Sequence, residues 1–571
     1  MLYPQRNKYR DLIDLSGFWD FRFDFKDEGL DNGWMNGFEK AEPIAVPASW
    51  NDQFAENRDF LGPAWYQIEF SIPDNWKQND VRLRFGSVNY LTDVFLNGEK
   101  IGSHEGGHLP FEFDITTRLI EGNNHLTVRV DGNLENYHLP PGKMRMNFPP
   151  TNFDFYPFCG IHRPVLLYTV PKNGIEDITV KTEISGTIGK VIVRIDLMNE
   201  STNQAFLRLS GNGNDVSCEL AIDGSSIETI LDVPDAQFWS PENPSLYDLC
   251  VDILQEGVKF DSYSLKIGIR TFEVRGDKIY LNGKPYYLKG FGRHEDFPVV
   301  GRGYLPALII KDYSLMKWIG ANSFRTSHYP YSEQMMDLAD RLGFLVIDET
   351  PAVGLTFKNE VIEHHLELCK QYLRDLINRD KNHPSVIMWS LANEPIRSIK
   401  SKAFFKELYD LAKSIDHTRL ITVVNMKGII EGAFEFCEIL CVNRYPGWYE
   451  HQGQIDEGIK NLSQNLDDVY EKYKKPVILS EFGADTIPGC HAQPPEMFSE
   501  EYQVEFIKKF IETVRAKDYI VGEHVWNLCD FKTSQGIMRV GGMNLKGVFT
   551  RDRRPKMAAH FLKETWHDSK K

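Results

Sequence analysis

The sequence of 571 residues predicts a multidomain β and α/β protein, with two β-sandwiches followed by a (β/α)8 barrel. Over the first 270 positions, apolar and polar residues alternate between tight turns, which is typical of antiparallel sheets. After Arg270, short apolar runs alternate with segments of helical period, which indicates parallel strands joined by helices. We expect three domains, at residues 1–171, 172–270 and 271–571.

The first two domains are predicted to be sandwiches because their strands alternate, so each strand buries one face. In the first domain, the turn-forming pairs Asn97–Gly98 and Asp131–Gly132 follow such strands. Its strand patterns are FWDFRFD, AWYQIEF, VRLRFG, TDVFLNG and HLTVRVD. The second domain is smaller, and its patterns are DITVKTEI, GKVIVRIDLMN, AFLRLSG, CELAIDG and YDLCVDIL.

The third domain contains eight apolar runs of strand length. Between the third and fourth runs, VIEHHLELCKQYLRDLINRD places Ile362, Leu366, Cys369, Leu373 and Leu376 on one face of a helix. Eight strands that alternate with helices over about 300 residues predict a TIM barrel. The eight runs begin at Tyr286, Asn322, Phe344, Val386, Leu420, Ile439, Val477 and Ile520.

Charge and composition limit the classes of partner. A net charge of −16 argues against nucleic acid and against an anionic membrane surface, because both would be repelled. The first residues lack the apolar run of a signal peptide, and we find no segment that could span a bilayer. Eight cysteines are scattered without metal-ligand spacing, so we expect a cytoplasmic protein with reduced thiols.

The stretch SVIMWSLANEP ends a predicted strand in Asn393, Glu394 and Pro395. Glu481 ends the seventh strand in the same way, in VILSEFG. Because the C-terminal ends of barrel strands meet at one mouth, we expect the two glutamates to face each other there. A retaining glycosidase needs two carboxyl groups about 5 Å apart, one protonated and one ionised. Either glutamate alone could be a solvated loop acid, whereas the pair favours catalysis.

Short motifs along nearly the whole chain resemble glycoside hydrolase family 2, a retaining family. This resemblance implies an N-terminal jelly-roll sugar-binding domain, an immunoglobulin-like β-sandwich and a catalytic barrel. In the barrel, the motifs are LANEP, SEFG, GFGRHED, NSFRTSHYP, VIDET and NRYPGWY. In the two sandwich domains, they are GFWDF, TDVFLNGEKIGSHEGGHLPFEFDIT, GIHRPV and FWSPENPSLYDL.

The resemblance assigns roles to the residues around the two acids. It implies that Glu394 is the general acid/base and that Glu481 is the nucleophile. Asn393 is expected to hydrogen-bond the 2-hydroxyl group of the sugar, a contact that strengthens in the transition state. Arg325 and Tyr445 are expected to contact Glu481 and to keep it ionised.

The end of the barrel domain indicates which sugar is bound. Asn544 and Lys546, with Arg539 close by, resemble the β-glucuronidase subgroup of the family, in which Asn and Lys hold the C6 carboxylate. An ammonium and an amide suit a sugar carboxylate, since charge-assisted hydrogen bonds are about twice as strong as neutral ones. A neutral hexose would leave Lys546 buried and unpaired, which disfavours a β-galactosidase. The same resemblance places further residues at the sugar, namely Asp154, His294, Tyr449 and Trp526.

The expected function is therefore hydrolysis of β-D-glucuronides by double displacement through a covalent glycosyl-enzyme intermediate. A β-galacturonidase would need the same carboxylate clamp, and a non-catalytic glycan-binding protein could use the same scaffold. The expected partners are small-molecule or oligosaccharide β-glucuronides, and relatives suggest a homo-oligomer, either a dimer or a tetramer. We expect no metal, because the adjacent His364 and His365 fit no zinc motif. We expect no cofactor, because the sequence has neither a phosphate loop nor a dinucleotide fingerprint.

The connection after the third barrel strand is short. In AVGLTFKNE the chain leads almost directly into the next helix, whereas many bacterial relatives insert a long loop there. A short connection leaves the mouth of the barrel open. We therefore expect broad tolerance for the aglycone, including glucuronic-acid-ended oligosaccharides, and a weaker grip on small aryl groups.

Overall fold

The computed structural model describes residues 1–142, 147–426 and 432–568. Its first part is the predicted β-sandwich, in which two antiparallel sheets pack around one apolar core. Strands of the larger sheet are Glu42–Val46, Gly17–Phe23, Pro63–Phe70, Asn124–Asp131, Leu91–Leu96 and Glu99–Glu105, in spatial order. The smaller sheet contains, in spatial order, Leu12–Asp14, Val165–Val170, Asp80–Phe85 and Phe111–Asp114.

One of the two turns predicted for this sandwich forms a hairpin. Asn97–Gly98 joins two neighbouring antiparallel strands, and both residues have positive φ angles of 53° and 83°. Asp131–Gly132 ends its strand, but a long loop follows it and the next strand is Gly160–Ile161. A turn-forming pair therefore predicted where the strand ends and did not predict where the chain goes next.

The second part is the smaller sandwich that the sequence predicts. Alternate residues of its long strands are buried or half-buried, because each strand packs one face on the core and exposes the other. Its strands are Ile175–Ser185, Ile188–Gly211, Asn214–Val233, Tyr247–Gln255 and Val258–Ile267. A short antiparallel sheet of Phe272–Arg275, Lys278–Leu281 and Lys284–Pro285 then leads into the barrel.

All eight predicted barrel strands form one closed parallel barrel. Every residue of the fourth strand is buried, since parallel strands are covered by helices on one face and fill the barrel with the other. We number the strands β1 Leu288–Gly292, β2 Ser323–Arg325, β3 Leu345–Glu349, β4 Val386–Asn393, β5 Leu420–Asn425, β6 Leu440–Asn443, β7 Val477–Glu481 and β8 Ile520–Val525.

Helices cover the barrel, and their ends carry the expected local signals. Pro306 begins the first helix, Gly320 ends it with a φ of 93°, and Ser499 caps the sixth through its side chain. Between β5 and β6 the described residues contain only the 3-10 turn Gly432–Glu435. The helices are α1 Pro306–Ile319, α2 Glu333–Leu342, α3 Ile362–Asp380, α4 Ser401–Ile415, α5 Ile455–Tyr473, α6 Glu500–Arg515 and α7 Met557–Asp568.

A loop of the first sandwich, residues 147–159, reaches the mouth of the barrel. The backbones of Phe148 and Gln535 exchange two hydrogen bonds, of 3.1 and 2.7 Å. Asn152 donates a side-chain hydrogen bond to the carbonyl of Gly354, in the connection between β3 and α3, at 3.0 Å. The loop is thus tied to two sides of the mouth.

Within the described ranges, no helix combines the length and apolar composition that crossing a membrane requires.

Candidate active site

A cavity of about 360 Å³ opens at the C-terminal ends of the barrel strands, where the fold is expected to hold its chemistry. Most of the side chains that the sequence assigns to the site meet in its wall. Those that line it are Asp154, Asn393, Glu394, Tyr445, Tyr449, Glu481, Trp526, Arg539 and Asn544. The other lining residues are Asn152, Phe153, His328, Val353, Gly354, Ile396, Met426 and Met538.

Glu481, at the end of β7, is held by two donors. Arg325, at the end of β2, donates from Nη2 to Oε1 in a short ion pair, and Tyr445 donates its hydroxyl to Oε2 at 2.7 Å. Only 4% of Glu481 is exposed. These contacts fix both oxygens of the carboxylate at the edge of the cavity.

The protonation of Glu481 depends on a balance of opposing effects. Burial is the largest effect and raises the pKa of Glu481 to about 8, and the neighbouring Glu394 acts in the same direction. Arg325 and Tyr445 lower this pKa, but they do not overcome burial. Both donors act in the expected direction, and the expectation that they keep Glu481 ionised stays a prediction. Because protonation of Glu394 would remove its repulsion, a proton on Glu394 favours the charge on Glu481.

Two residues that the sequence reasoning did not assign complete this side of the site. Glu349, at the end of β3, accepts two hydrogen bonds from Nη1 of Arg325, at 2.7 and 2.8 Å. His328 lies with Nδ1 2.8 Å from Glu349 and Nε2 3.8 Å from Glu481, and its ring stacks on Trp526. Both residues stand in motifs that carry the family resemblance, VIDET and NSFRTSHYP, which is the signal that could have found them.

Arg325 thus bridges two carboxylates and is itself buried. Burial lowers the pKa of the Arg325 guanidinium, but Glu349 and Glu481 more than offset this effect, and the net pKa is raised. For Glu349 the effects have the opposite sign. Burial raises the pKa of Glu349, but Arg325 and His328 outweigh burial, so the net pKa is lowered. A fixed charge pair of Arg325 and Glu349 therefore stands behind Glu481.

Glu394 follows the last residue of β4 and is aimed into the cavity by its backbone. Its φ is 48°, which is uncommon for a residue with a side chain. Its N–H donates to the carbonyl of Val424, in β5, at 2.9 Å. Asn443, at the end of β6, donates to Oε1 of Glu394 at 2.9 Å and to the side-chain oxygen of Asn393 at 3.2 Å. Asn443 is a third residue that the sequence reasoning missed.

Part of the cavity wall is a charged cluster built from two domains. Arg539 donates from Nε to Asp154 at 2.8 Å and makes a second, shorter contact from Nη2 to the same carboxylate. Asn544 also donates to Asp154, at 3.0 Å, and Arg539 reaches the hydroxyl of Tyr449 at 2.9 Å. Asp154 therefore does reach in from the first sandwich, as the resemblance implies, and it meets the cation and the amide expected at a sugar carboxylate.

Lys546 lies next to this cluster, but its charge is already paired. Its ammonium forms a short ion pair with Asp485 and donates to Tyr449 at 2.8 Å, and only 1% of the residue is exposed. Burial raises the pKa of Asp485, but Lys546 and Arg539 reverse the shift, so Asp485 stays ionised. The argument that a neutral sugar would leave Lys546 unpaired is therefore wrong. Lys546 also does not line the cavity, whose wall it reaches through Tyr449.

His294, which was expected to line the pocket, lies one layer behind it. Its Nδ1 is 3.0 Å from the hydroxyl of Tyr329, and its ring packs on Phe531 and against the edge of Trp526. Burial lowers the pKa of His294 far below its usual value, so the imidazole is neutral. His294 can support Trp526, which does line the cavity, but it does not form part of the wall itself.

One group of possible metal ligands occurs among the described residues, and it lies outside the cavity. The ligand atoms of Asp337, Asp340 and His383 lie within 4.8 Å of one another. His383 Nδ1 is 2.6 Å from Asp340. Burial lowers the pKa of His383, but Asp340 reverses the shift and raises it to about 10. In this structure, His383 and Asp340 therefore form an ion pair.

Models of known families match nearly the whole chain. The sugar binding domain of glycosyl hydrolases family 2 matches residues 12–171, the central family 2 domain matches residues 173–270, and the TIM barrel domain matches residues 272–570. The β-glucuronidase of Paenibacillus borealis is 40% identical to this chain, and the match covers 99% of this chain and 98% of that protein.

Two solved structures are also similar to this protein. A β-glucuronidase from an uncultured Clostridium species is 41% identical, with a TM-score of 0.95 and complete coverage of both chains. The β-glucuronidase of Ruminococcus gnavus in complex with D-glucuronic acid is 38% identical, with a TM-score of 0.94 and coverage of 99% of each chain. Because the family models and the full-length relatives agree along the chain, this protein belongs to glycoside hydrolase family 2.

Proposed function

We propose that this protein hydrolyses β-D-glucuronides with retention of configuration at the anomeric carbon. The observation that carries the proposal is the composition of one cavity wall. Glu394 and Glu481 stand at the ends of β4 and β7, and a cluster of Arg539, Asn544 and Tyr449 lines the same cavity. Two carboxyl groups suit cleavage of a glycosidic bond, and the guanidinium, amide and hydroxyl donors of the cluster suit the carboxylate of a uronic acid.

In the first step, Glu394 protonates the glycosidic oxygen while an oxygen of Glu481 attacks the anomeric carbon. The proton on Glu394 lowers the pKa of Glu481, since the repulsion between the two carboxyl groups disappears. Arg325 and Tyr445 then stabilise the charge on Glu481 until it forms the covalent bond. The aglycone leaves as an alcohol with the proton of Glu394.

In the second step, the deprotonated Glu394 removes a proton from a water molecule, which attacks the glycosyl-enzyme ester. Glu481 leaves as a carboxylate, so the two-step reaction restores both groups and retains the configuration. Asn443 holds Oε1 of Glu394 in place through the change of charge. Asn393, whose side chain lines the cavity, supplies the contact to the 2-hydroxyl group of the sugar.

The sugar carboxylate binds at the charged cluster. Asp154 occupies Arg539 and Asn544 in the free protein, and Asp485 occupies Lys546. Two cations and two carboxylates balance there, so discrimination of a uronate rests on geometry and on hydrogen-bond donors and not on net charge. The names of the full-length relatives support a glucuronide over the alternative, a galacturonide.

A panel of 4-nitrophenyl β-glycosides tests the proposal. We expect the glucuronide to be hydrolysed with a kcat/KM at least about 100-fold above the galacturonide and the galactoside, because a site built for polar groups discriminates strongly when they are unpaired. Faster hydrolysis of the galacturonide would make that sugar the substrate. Binding of glucuronic acid without turnover of any glycoside would indicate a glycan-binding protein.

We also propose a homo-oligomer, either a dimer or a tetramer, and a cytoplasmic location. The resemblance to family 2 supports the assembly, because relatives commonly associate. Light scattering on the purified protein measures its mass directly, and a value near the 65.9 kDa of one chain would contradict the assembly. Fractionation of the producing cells tests the location.

A further inference from the structure

Two chain segments outside the barrel strands pack against each other near the proposed nucleophile. The first comprises residues 484–486, which begin three positions after Glu481, and the second comprises residues 544–547. Asp485 in the first and Lys546 in the second form a short ion pair across them. We call these two stretches the clamp segments. Their relative position decides where the ammonium of Lys546 lies at the proposed uronate site.

Gln503, in α6, ties the two clamp segments together. Its Nε2 donates to the carbonyls of Ala484, Lys546 and Gly547, at 3.1, 3.2 and 3.3 Å. An amide nitrogen has two hydrogens, so the three carbonyls share them. Gln503 is fully buried, and its Oε1 has no hydrogen-bond partner among the residues that the structure describes. The side chain therefore acts here through its donors alone.

Lys556, which directly precedes α7, binds the same segments at other carbonyls. Its ammonium donates to the carbonyls of Thr486 and Leu545, at 3.0 and 2.9 Å. It also forms an ion pair of 2.8 Å with Asp530, which keeps the ammonium in place. Lys556 is buried as well. Together with Gln503, it holds the backbone carbonyls of residues 484, 486, 545, 546 and 547.

Neither Gln503 nor Lys556 lines the catalytic cavity, so an effect on the substrate must pass through the residues that they hold. Lys546 is such a residue. Gln503 binds its carbonyl, and its ammonium donates to Tyr449, in the cavity wall, at 2.8 Å. Because charges balance at the uronate cluster, binding there depends on where each donor lies. A shift of about 1 Å in a binding group can cost about 100-fold in rate.

We infer that Gln503 and Lys556 are positioning residues that set the preference for a uronate by fixing the backbone that carries Lys546. This inference rests on the proposed function. A binding group keeps its geometry only if the residues around it are themselves held by hydrogen bonds. Without these two side chains, buried carbonyls on both clamp segments would lose donors, which costs free energy. The segments would then shift relative to each other, and Lys546 would shift with them.

Two substrates that differ only in the charge at C6 test the inference. They are 4-nitrophenyl β-D-glucuronide and its C6 amide, which has nearly the same shape and no charge. Gln503→Met keeps most of the side-chain volume and removes both donors. We expect it to lower kcat/KM at least about 10-fold on the glucuronide and less than about 3-fold on the amide, since misplaced groups matter only to the substrate that uses them. Lys556→Met should give the same pattern.

The loss should appear mainly as a higher KM, because the uronate site holds the sugar both before and during the reaction. A background without the lysine then separates positioning from a general structural role. In Lys546→Ala, adding Gln503→Met should lower kcat/KM on the glucuronide less than about 3-fold further, because two changes that act through one group are not additive. A general effect on folding would be the same in both backgrounds.

Two further variants serve as controls. Gln464→Met is the matched control, because Gln464 is exposed on α5 and its amide donates to Asp468. It should keep the wild-type kcat/KM on both substrates. Gln503→Asn shortens the side chain by one methylene group and keeps the amide. If thermal unfolding shows that Gln503→Met does not fold, Gln503→Asn tests the same prediction, with a smaller expected loss.

The outcomes distinguish this inference from the proposed function. If the wild-type protein hydrolyses neither substrate, the proposed function fails. If it hydrolyses the glucuronide but Gln503→Met lowers kcat/KM equally on both substrates, the function stands and the positioning role is wrong. An undiminished loss in the Lys546→Ala background, or wild-type kinetics in Gln503→Met and Lys556→Met, would also overturn that role.

Discussion

The hydroxyl of Tyr445 donates a 2.7 Å hydrogen bond to Oε2 of Glu481. The bond connects the loop after β6 to the end of β7, and it stabilises the charged form of the carboxyl group more than the neutral form. It is one of the effects that lower the pKa of Glu481 against the stronger effect of burial. Removing it should therefore change the pH at which the nucleophile ionises.

We predict that Tyr445→Phe shifts the acidic limb of the profile of kcat/KM against pH to higher pH. The limb reports ionisation of the nucleophile in the free enzyme, and loss of a donor to the carboxylate raises its pKa. The profile should be measured with an activated aryl glucuronide. Tyr449→Phe is the control, because Tyr449 contacts Lys546 and Arg539. A limb that moves to lower pH in Tyr445→Phe would contradict the account.

We predict that Glu394→Ala slows substrates with poor leaving groups far more than substrates with good ones. Proton donation contributes about 10²- to 10⁴-fold to such reactions, and an activated leaving group needs little of it. A plot of log kcat/KM against leaving-group pKa should therefore become steeper in the variant. Glu481→Ala should lose activity on all of these substrates. An equal loss across the series in Glu394→Ala would show that Glu394 is not the acid.

We predict that Lys546→Ala lowers kcat/KM on the glucuronide by at least about 100-fold. The change removes the shorter of the two ion pairs of the buried Asp485 and leaves only the contact to Arg539 at 3.7 Å, so the carboxylate becomes more repulsive to the bound uronate. Trace activity on neutral glycosides should fall less. The double variant Lys546→Ala/Asp485→Asn should recover part of the loss, since it removes the unpaired charge. If the double variant loses more kcat/KM than the losses of the two single variants multiplied together, Asp485 has another role.

We predict that His383→Gln destabilises the protein below pH 7, by about 2 kcal/mol, the range of a hydrogen bond to a charged group. The pKa of His383 is raised to about 10 by its pair with Asp340, above its value in the unfolded chain. The pair therefore contributes fully below about pH 6.5 and is lost as the pH rises through 10. Thermal unfolding should show the largest difference at pH 6. The exposed His417→Gln should show none, and a difference that grows with pH would contradict the assignment.

The eight barrel strands could be predicted from the sequence because buried parallel strands are continuous apolar runs, which stand out between helices. The ends of these strands could also be predicted, and with them the positions of Glu394 and Glu481 at the mouth of the barrel. What could not be predicted is which charges neutralise each other. Asp485 lies 61 positions before Lys546 in the chain, and only the closed barrel brings the two together. Glu349 was missed although it stands in the motif VIDET, because a pair of acids at strand ends already accounted for the expected chemistry.

The balance of burial and charge at Glu481 also lies beyond the sequence. Arg325 and Tyr445 were expected to contact this residue, and the structure shows both contacts. Their net effect depends on how far the carboxyl group is removed from water and on the distance to Glu394, which are properties of the folded cavity. The domain boundaries at residues 171 and 270 and the roles of the site residues stay predictions.

The central claim is that Glu481 forms a covalent bond to the sugar while Glu394 supplies the proton. The most direct measurement is mass spectrometry of the protein after reaction with a 2-deoxy-2-fluoro-β-glucuronyl fluoride, which slows the second step. The account predicts one added sugar per chain, on the peptide that contains Glu481. A sugar attached to Glu394, or turnover with inversion and no covalent adduct, would contradict it.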